Sequence, residues 1–336
     1  MATIKDIASE ADVSIATVSK VLNNYSDISP KTRKKVMEIV REKNFRPNAN
    51  ARSLIMNKSF SIGIFFKDHQ NSGLRHPFFR DVIYGLERVF CDFGYDLVLF
   101  SAKWGDEYRY VEKCNYRQVD GAILMGMPPD DKYLDALLEA EIPSVFVDLD
   151  VTGDYATYVM SDNLEGAASA VRYLHKLGHR KIGMIMGEKI TRPAQERLLG
   201  YQKTLVELGI SYRSEWVIEG EFSESGGFKS MKQILSLEEM PTAIFCQGDE
   251  IALGVINAIK SEGLDVPGDF SVIGFDDIDL SRYIEPKLTT IKQDKFNMGK
   301  KAANLLIKMI NEPGEKFEPE ILPTKLIERE SCAELS

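Results

Sequence analysis

Hydrophobic positions in residues 3–43 follow the spacing of short α-helices. Thr3 precedes IKDIASEA and is followed three residues later by Asp6, which is typical of a capped helix start. Ser14 is a good N-cap for IATVSKVLN, and Ser29 followed by proline opens KTRKKVMEIVREKNF. The pattern therefore predicts three short helices.

The next stretch, RPNANARSLIMNK at residues 46–58, breaks this pattern. Pro47 and two asparagines disfavour a standing helix. The segment NARSLIM is also shorter than the roughly 12–15 residues that an isolated helix needs. We interpret this stretch as a hinge that orders only when a partner holds it.

From residue 59 onwards, apolar strand-like runs alternate with helical segments. Strict alternation predicts parallel sheets with helices on both faces. SIGIFF and KIGMIM begin two similar series, which indicates two subdomains with a ligand cleft at the carboxyl ends of their strands. The predicted strands are FSIGIFF, DLVLFSA, DGAILMG, SVFVDLD, KIGMIMG, EWVIEGEF, TAIFCQG and SVIGFDD. The predicted helices are residues 78–93, YLDALLEA, LEGAASAVRYLHKLG, RLLGYQKTLVELG, GGFKSMKQILS and IALGVINAIKSEG.

The charge distribution separates the first 58 residues from the rest. They contain 11 Lys and Arg against 6 Asp and Glu, a net charge of +5, so the remaining chain carries −14 and the whole chain −9. A basic head on an acidic body indicates that the head alone meets an anionic polymer.

Composition indicates the cellular compartment of the protein. No run approaches the roughly 20 apolar residues of a membrane helix, and the first segment lacks the apolar core of a signal peptide. The four cysteines form no CxxC pair. We therefore expect a cytoplasmic protein with reduced cysteines and no membrane partner.

The head carries the series A-x-x-A-x-V-S-x-x-T-V-S-x-x-L-N between Ala8 and Asn23. This series resembles the helix-turn-helix of the LacI/GalR (lactose-repressor-like) family of bacterial transcription factors. The resemblance continues in order through FRPNANARSL, VDGAILMG, GHRKIGMIMG, RLLGY, PTAIFCQGDEIALG, SVIGFDDIDLSRYIEPKLTTI and LIERES. It implies an all-α helix-turn-helix head and an α/β periplasmic-binding-protein-like body of two parallel-sheet, Rossmann-like subdomains.

The resemblance also implies domain boundaries. Residues 1–46 form the DNA-binding domain, 47–58 the hinge helix or linker, and 59–333 the effector-binding and dimerisation domain. Within the last domain, the N-subdomain covers about 59–161 and 291–322, and the C-subdomain about 162–290 and 323–333.

The second helix of such a motif enters the major groove with its N-terminal residues facing base edges. Ile15 and Ala16 occupy those positions, where apolar groups pack on thymine methyls. Lys20 follows one turn later, within reach of a guanine acceptor or a phosphate. The polar side chains expected at the DNA backbone are Thr3, Ser14, Thr17, Ser19, Asn23 and Thr32.

In the hinge, the resemblance implies that paired helices of a homodimer insert into the minor groove. Leu54 matches the leucine wedged between central base steps, and Ala51 and Arg52 lie close to the groove. An apolar wedge unstacks a step and bends the duplex, which permits further contacts. Two heads on one dimer imply a pseudo-palindromic operator in double-stranded DNA.

For the cleft, the resemblance implies a small-molecule effector, with Arg197 donating to its oxygens and Asp276 accepting from its hydroxyls. A sugar offers apolar faces to aromatic rings and hydroxyls to charged groups, so we expect a sugar or a sugar derivative. The remaining expected contacts are Phe78, Phe79, Asp148, Phe222 and Gln247.

Two alternatives within the family remain open. A purine effector is one, although Arg192 is displaced by one residue from the pattern of the purine-responsive branch. The other is a catabolite-control-type regulator whose main co-effector is a phosphorylated carrier protein, because VSIATVSKVLN also resembles the recognition helix of that branch.

The sequence argues against an enzyme and against a cofactor. It contains no GxGxxG after the first strand, no GxxxxGK[ST], no GxSxG and no HExxH. His175 and His179 have i, i+4 spacing, but Gly178 between them is expected to end the helix, so we predict no metal site.

Overall fold

The structure is a computed structural model that describes residues 2–22, 25, 27–43, 45, 58–67, 75–100 and 109–335. The chain divides into two compact units, Met1–Phe60 and Ser61–Ser336.

The first unit contains the three predicted helices, α1 (Ile4–Ala11), α2 (Ile15–Leu22) and α3 (Pro30–Glu42). Thr3 and Asp6 form a reciprocal capping box at the start of α1. One small core joins the helices, and its buried members are Ile7, Ala8, Ala11, Val18, Val21, Val36, Ile39 and Val40.

The second unit contains two six-stranded sheets among its described residues. The first sheet has the order β11-β5-β4-β3-β1-β2, with all neighbours parallel. The second has the order β12-β10-β9-β8-β6-β7, in which only the short strand β12 is antiparallel. The strands are β1 (Ser61–Phe66), β2 (Asp96–Phe100), β3 (Gly121–Met125), β4 (Ser144–Val147), β5 (Ala156–Ser161), β6 (Ile182–Met186), β7 (Val217–Glu219), β8 (Ala243–Cys246), β9 (Ser271–Asp276), β10 (Thr289–Lys292), β11 (Glu320–Leu322) and β12 (Lys325–Ile327).

Helices cover both sheets and bury their apolar faces against them. They are α4 (Pro77–Asp92), α5 (Tyr110–Arg117), α6 (Leu134–Leu138), α7 (Asn163–Lys176), α8 (Arg192–Glu207), α9 (Glu224–Leu235), α10 (Asp249–Ser261) and α11 (Lys295–Asn311). Each sheet with its helices is called a lobe below, the first lobe containing β1 and the second β6. The alternating pattern and its two parallel sheets are confirmed.

The chain crosses between the lobes three times, after β5, after β10 and after β11. Helix α11 follows the second crossing and packs on α4 and on β3, β4 and β5 of the first lobe. The contact between α11 and α4 is a backbone contact through Gly85 and Gly299. A Cβ on Gly85 would lie 2.1 Å from the Phe296 carbonyl oxygen, and one on Gly299 would lie 2.1 Å from the Val82 carbonyl oxygen.

Several elements differ in extent from the pattern. The segment EWVIEGEF forms only the three-residue strand β7 after a 3₁₀ turn at Ser214–Trp216. YLDALLEA forms a five-residue helix. Strand β5, helix α5 and everything after β9 were not assigned from periodicity. Strands β11 and β12 are three residues each, too short for a period to show.

Candidate functional sites

Helix α2 exposes the apolar side chains that the sequence singled out. Ile15 is 45% exposed, whereas Val18 and Val21 on the opposite face are buried in the three-helix core. Ala16 is also exposed. An exposed isoleucine at the start of a short helix is consistent with the predicted base contact and excludes Ile15 as a core residue of the head.

Four of the six polar residues predicted at the DNA backbone lie at helix starts: Thr3, Ser14, Thr17 and Thr32. The Ser14 hydroxyl accepts from the Thr17 amide at 3.0 Å, and the Ser29 hydroxyl accepts from the Thr32 amide at 3.1 Å. The Thr3 hydroxyl likewise accepts from the Asp6 amide at 3.3 Å. Helix N-termini favour phosphate because their amides and dipoles face outward.

Lys20 forms an exposed ion pair with Asp27. Because both side chains are about half exposed, a DNA phosphate or base can replace the carboxylate at little cost. Ser19 lies on the same helix and is half-buried. The predicted contacts at Asn23, Ala51, Arg52 and Leu54 lie outside the described residues, and all these DNA contacts stay predictions.

The body contains a cleft with an empty volume of about 710 Å³, part of which is open to solvent. Its walls come from the carboxyl ends of strands in both lobes, as expected for parallel sheets. The lining residues are Lys67, His76, Phe78, Phe79, Gly126, Met127, Asp148, Glu188, Thr191, Arg192, Pro193, Arg197, Phe222, Asp276 and Gln293. Six of the seven predicted effector contacts therefore lie together, and their roles stay predictions.

Arg197 is the cation at the base of the cleft and is 3% exposed. Its Nε donates to the Asn163 Oδ1 at 2.9 Å, and its Nη1 donates to the Gln247 carbonyl oxygen at 2.5 Å. Its guanidinium lies 3.7 Å from the centre of the Phe275 ring. Its Nη2 is 3.9 Å from the Asp276 Oδ1, which is longer than a charge-assisted hydrogen bond. Arg197 and Asp276 therefore do not form a close ion pair with each other.

Two carboxylates face Arg197 from opposite lobes. Asp276 ends β9, and its Oδ1 accepts from the Gln293 Nε2 at 2.6 Å. Asp148 follows β4 in the left-handed region, with φ of 60°, a conformation that Asp tolerates better than most residues. Burial raises the pKa of Asp148 to about 7, an effect that the Arg197 cation opposes and the Asp276 and Glu196 carboxylates reinforce.

Aromatic rings supply the apolar walls. The Phe79 ring centre lies 4.5 Å from that of Phe66 and 5.2 Å from that of Phe78. Phe78 is a buried residue of α4. Phe222 lies across the backbone of Gly187, where an added Cβ would come within 2.0 Å of its ring. Glycine at position 187 therefore sets how closely Phe222 approaches β6.

Gln247 is the predicted contact that does not line the cleft. Its side chain is fully buried, and its Nε2 donates to the Ala194 carbonyl oxygen at 2.9 Å. The nearby Asp249 is fully buried and accepts from Ser281 and Thr290 inside the second lobe. Both residues follow β8, and both side chains bond to partners inside the second lobe instead of facing the cleft.

Sequence reasoning missed several lining residues. Gly126 and Glu188 follow β3 and β6, so the rule that ligands bind at strand carboxyl ends marks their neighbourhood. Gln293 lies on a crossing between lobes that the pattern did not locate. Arg192 lines the cleft and bridges the lobes, because its Nη2 lies 2.8 Å from the Asp150 Oδ2.

Metal sites and membrane spans are absent from the described residues. The described residues contain no group of three or more His, Cys, Asp and Glu side chains that could hold a metal ion. His179 is buried, with Nδ1 2.8 Å from the Thr242 hydroxyl and Nε2 2.9 Å from the Ser271 hydroxyl. None of the described helices has the length and apolarity needed to cross a membrane.

A helix-turn-helix head and a two-lobed body with a lined cleft define a ligand-responsive DNA-binding regulator. Residues 3–48 match the model of bacterial regulatory proteins of the lacI family, and residues 171–332 match the periplasmic binding protein-like domain. The chain is 37% identical over 337 residues to the probable transcriptional repressor ExuR of Bacillus subtilis (strain 168), covering 100% of both chains. It is 35% identical to the transcriptional repressor PurR of Actinobacillus pleuropneumoniae serotype 3 (strain JL03), covering 96% of this chain and 95% of that one.

Solved structures agree with these relatives. A crystal structure of the lac repressor dimer bound to operator and the anti-inducer ONPF matches with a TM-score of 0.85 and 29% identity, covering 99% of each chain. The chain belongs to the LacI family of bacterial transcriptional repressors. The predictions of this family, of its fold and of a DNA-binding regulator rather than an enzyme are confirmed.

Proposed function

We propose that this chain is a cytoplasmic, homodimeric repressor whose affinity for a pseudo-palindromic operator is controlled by a sugar or sugar derivative in the cleft. The observation that carries the effector class is the meeting of Asp148, Asp276 and Arg197 between phenyl rings. Rings pack against the apolar faces of a sugar, and charged groups bind its hydroxyls with the strongest hydrogen bonds.

Buried polar atoms that line this cleft lack hydrogen-bond partners within the described residues, and they include a donor, Arg192 Nε, besides two acceptors. Asp148 Oδ1 and Gln293 Oε1 are buried and have no hydrogen-bond partner within the described part of the chain. Buried acceptors without partners are costly, so a ligand that donates several hydroxyls restores what burial removed. This favours a polyhydroxylated ligand.

Exposed apolar side chains on the body support a homodimer. Tyr84 on α4 is 58% exposed and Leu99 on the edge strand β2 is 42% exposed. Leu280 and Tyr283, after β9, are 49% and 81% exposed. Large exposed apolar groups that lie on neighbouring elements mark interaction surfaces.

The proposed mechanism is a two-state change in the angle between the lobes. Arg192 and Asp150 already join the lobes at one side of the cleft, and Arg80 lies 3.5 Å from Asp279 at another. An effector that contacts both lobes binds one arrangement more tightly and so shifts the population towards it. The hinge segments of a dimer then either pair in the minor groove or separate.

The test is a thermal-unfolding screen of the purified chain with sugars, sugar phosphates, sugar acids and purines. A specific ligand at about 100 times its dissociation constant adds roughly 2.7 kcal/mol to the free energy of unfolding. We expect a sugar-class ligand to raise the melting temperature of the wild type and to have no effect on Arg197→Ala. A panel in which no sugar derivative acts would contradict the effector class.

A purine effector is the second candidate, and the similarity to PurR is the observation that favours it. Arg192, the cation nearest the position expected from the purine branch, is engaged with Asp150 and with Glu196 at 3.4 Å. A stabilising purine in the same screen would replace the sugar proposal and leave the fold and DNA binding unchanged.

The hinge proposal has its own test. Leu54→Ala is expected to weaken operator binding because the apolar wedge is removed, while the melting shift caused by effector stays at its wild-type value. Wild-type operator affinity in this variant would exclude Leu54 as the wedge.

A further inference from the structure

The turn that carries Asp276 has an unusual backbone. Asp276 has φ of 113° and Asp277 has φ of 49°, so two consecutive residues other than glycine lie at positive φ. Such conformations cost free energy and persist only where surrounding contacts hold them. The contacts that hold this turn therefore determine where the Asp276 carboxylate points.

Lys295 contacts this turn from helix α11, which belongs to the first lobe. It is the first residue of α11, which packs on the first lobe, and its side chain is 6% exposed. Its Nζ donates to the Asp276 carbonyl oxygen and, at 3.2 Å, to the Asp277 carbonyl oxygen. A buried ammonium is costly unless its hydrogens are bound, so these two carbonyls and the cation stabilise each other.

Asp249 contacts the turn from the opposite side. Its Oδ2 accepts from the Ile278 amide at 2.9 Å and from the Ser281 hydroxyl at 2.7 Å, while its Oδ1 accepts from the Thr290 hydroxyl at 2.5 Å. Only glycine leaves room for this carboxylate at position 274, where a Cβ would lie 2.2 Å from Oδ1. Asp249 thus fixes the first amide after the strained pair.

The side chain of Asp277 points away from the cleft. Its Oδ1 lies 2.5 Å from the Arg329 Nη2, and its Oδ2 lies 3.4 Å from the Arg282 Nη2. The left-handed backbone is what separates the two neighbouring carboxylates, one lining the cleft and one bound to arginines.

We propose that Lys295 is a positioning residue that acts from the first lobe's helix α11 and, together with Asp249, holds the Asp276 carboxylate in the cleft. The proposal rests on the proposed function only in taking Asp276 as an effector contact. It means that the geometry of one lobe sets an effector contact on the other.

The first test needs no ligand. Amide hydrogen exchange of the Ile278 region is measured on the full chain for the wild type, Lys295→Met and Lys295→Arg. Lys292→Met is the matched control, because Lys292 is an exposed lysine three residues earlier on β10. We expect Lys295→Met to speed exchange of the Ile278 amide by about tenfold or more, with the rest of the second lobe unchanged.

The conservative variant separates positioning from simple stability. Lys295→Arg keeps donors for both carbonyls and is expected to restore most of the protection, and Lys292→Met to match the wild type. Unchanged exchange in Lys295→Met would overturn the proposal. Faster exchange across the whole second lobe would also overturn it, because Lys295 would then stabilise the lobe rather than the turn.

The second test uses D-ribose, D-glucuronate and hypoxanthine as probes in thermal shift. A probe that stabilises the wild type should lose about tenfold or more in affinity in Lys295→Met and little in Lys292→Met. Equal affinity in Lys295→Met would overturn the positioning role. If none of the three probes stabilises the wild type, the hydrogen exchange of Ile278 alone decides on Lys295, and the wider ligand panel alone decides on the effector class.

Discussion

At the scale of single residues, Arg197 shows why a buried guanidinium is hard to replace. It donates to a side-chain oxygen and a carbonyl oxygen, stacks on Phe275 and still leaves Nη2 without a close ion pair. A lysine at this position has one point charge and no planar face, so it cannot satisfy these partners and a ligand together.

Arg197→Lys is therefore expected to lose effector affinity while operator affinity stays unchanged. One charge-assisted hydrogen bond is worth about 1.5–3 kcal/mol, which is roughly a 10- to 150-fold increase in Kd. Calorimetric titration of the effector found in the screen measures this change. Arg172→Lys, in an exposed pair with Glu165 on α7, is the matched control and should bind as the wild type does.

Asp148 predicts a pH dependence of stability. Its folded pKa of about 7 lies above the usual aspartate value, so the folded state binds a proton that the unfolded chain has released. This contribution to stability is fully present below pH about 4 and is lost as the pH rises through about 7.

The free energy of unfolding of the wild type should thus fall relative to that of Asp148→Asn by about 1 kcal/mol per pH unit between pH 5 and 7. This slope is somewhat less than the full linkage slope because Asp148 borders an open cleft. Urea unfolding of both proteins at pH 5, 6, 7 and 8 tests this difference. Asp130→Asn, at an exposed aspartate, should parallel the wild type. Parallel curves for Asp148→Asn would mean that Asp148 titrates as it does in the unfolded chain.

At the scale of elements, the period of hydrophobic residues predicted the helices and strands whose pattern is contained in their own sequence. The head helices were predicted from their helical period and from their Ser and Thr caps. Strands such as SIGIFF and KIGMIM were predicted because burial on both faces leaves a continuous apolar run. Strand β5 was missed because it follows β4 without the intervening helix that strict alternation predicts. Helix α11 was missed because it follows a crossing between the lobes rather than a strand of its own sheet.

The same limit applied to the cleft. Residues within recognisable motifs, such as Arg197 and Asp276, were predicted, whereas Gln293 and Lys295 lie on a crossing and act through geometry. The exclusion of Gln247 from the cleft depends on how its side chain turns after β8, and sequence spacing does not determine that.

The crossing of α4 and α11 gives a prediction at this scale. Gly85→Ala would place a methyl group 2.1 Å from the Phe296 carbonyl oxygen, and backbone cannot move aside as a side chain can. Although alanine favours helix over glycine by up to about 1 kcal/mol, we expect a net loss of stability of about 1–3 kcal/mol from overpacking.

Chemical denaturation of Gly85→Ala and Gly299→Ala measures the loss. Glu87→Ala, at an exposed position of the same helix, should change stability by no more than about 0.5 kcal/mol. If Gly85→Ala proved as stable as the wild type, α4 and α11 would not be in backbone contact.

At the scale of the whole molecule, charge divides the two functions. The first 58 residues carry a net charge of +5 within a chain of −9. Counterion release makes the affinity for DNA fall steeply with salt, whereas binding of a small uncharged ligand in the cleft releases no counterions. Between 50 and 200 mM salt we expect operator affinity to fall by about 10³-fold or more and the affinity for a neutral sugar to change less than about twofold. Fluorescence anisotropy of labelled operator and calorimetry of the sugar supply the two slopes, and a flat operator slope would exclude a phosphate-dominated interface.

The two functions must also be coupled if the effector controls repression. Coupling free energy is reciprocal, so the factor by which effector changes operator affinity equals the factor by which operator changes effector affinity. Typical coupling of 1–3 kcal/mol makes both factors about 5 to 150.

We expect effector Kd values measured with and without saturating operator to differ by the same factor as operator Kd values measured with and without effector. Leu54→Ala should reduce both factors together, because a wedge that forms in only one state is part of the energy difference between the states. If the effector Kd did not change on operator binding, the cleft and the head would not be coupled. Repression would then have to be controlled by a ligand that binds another surface.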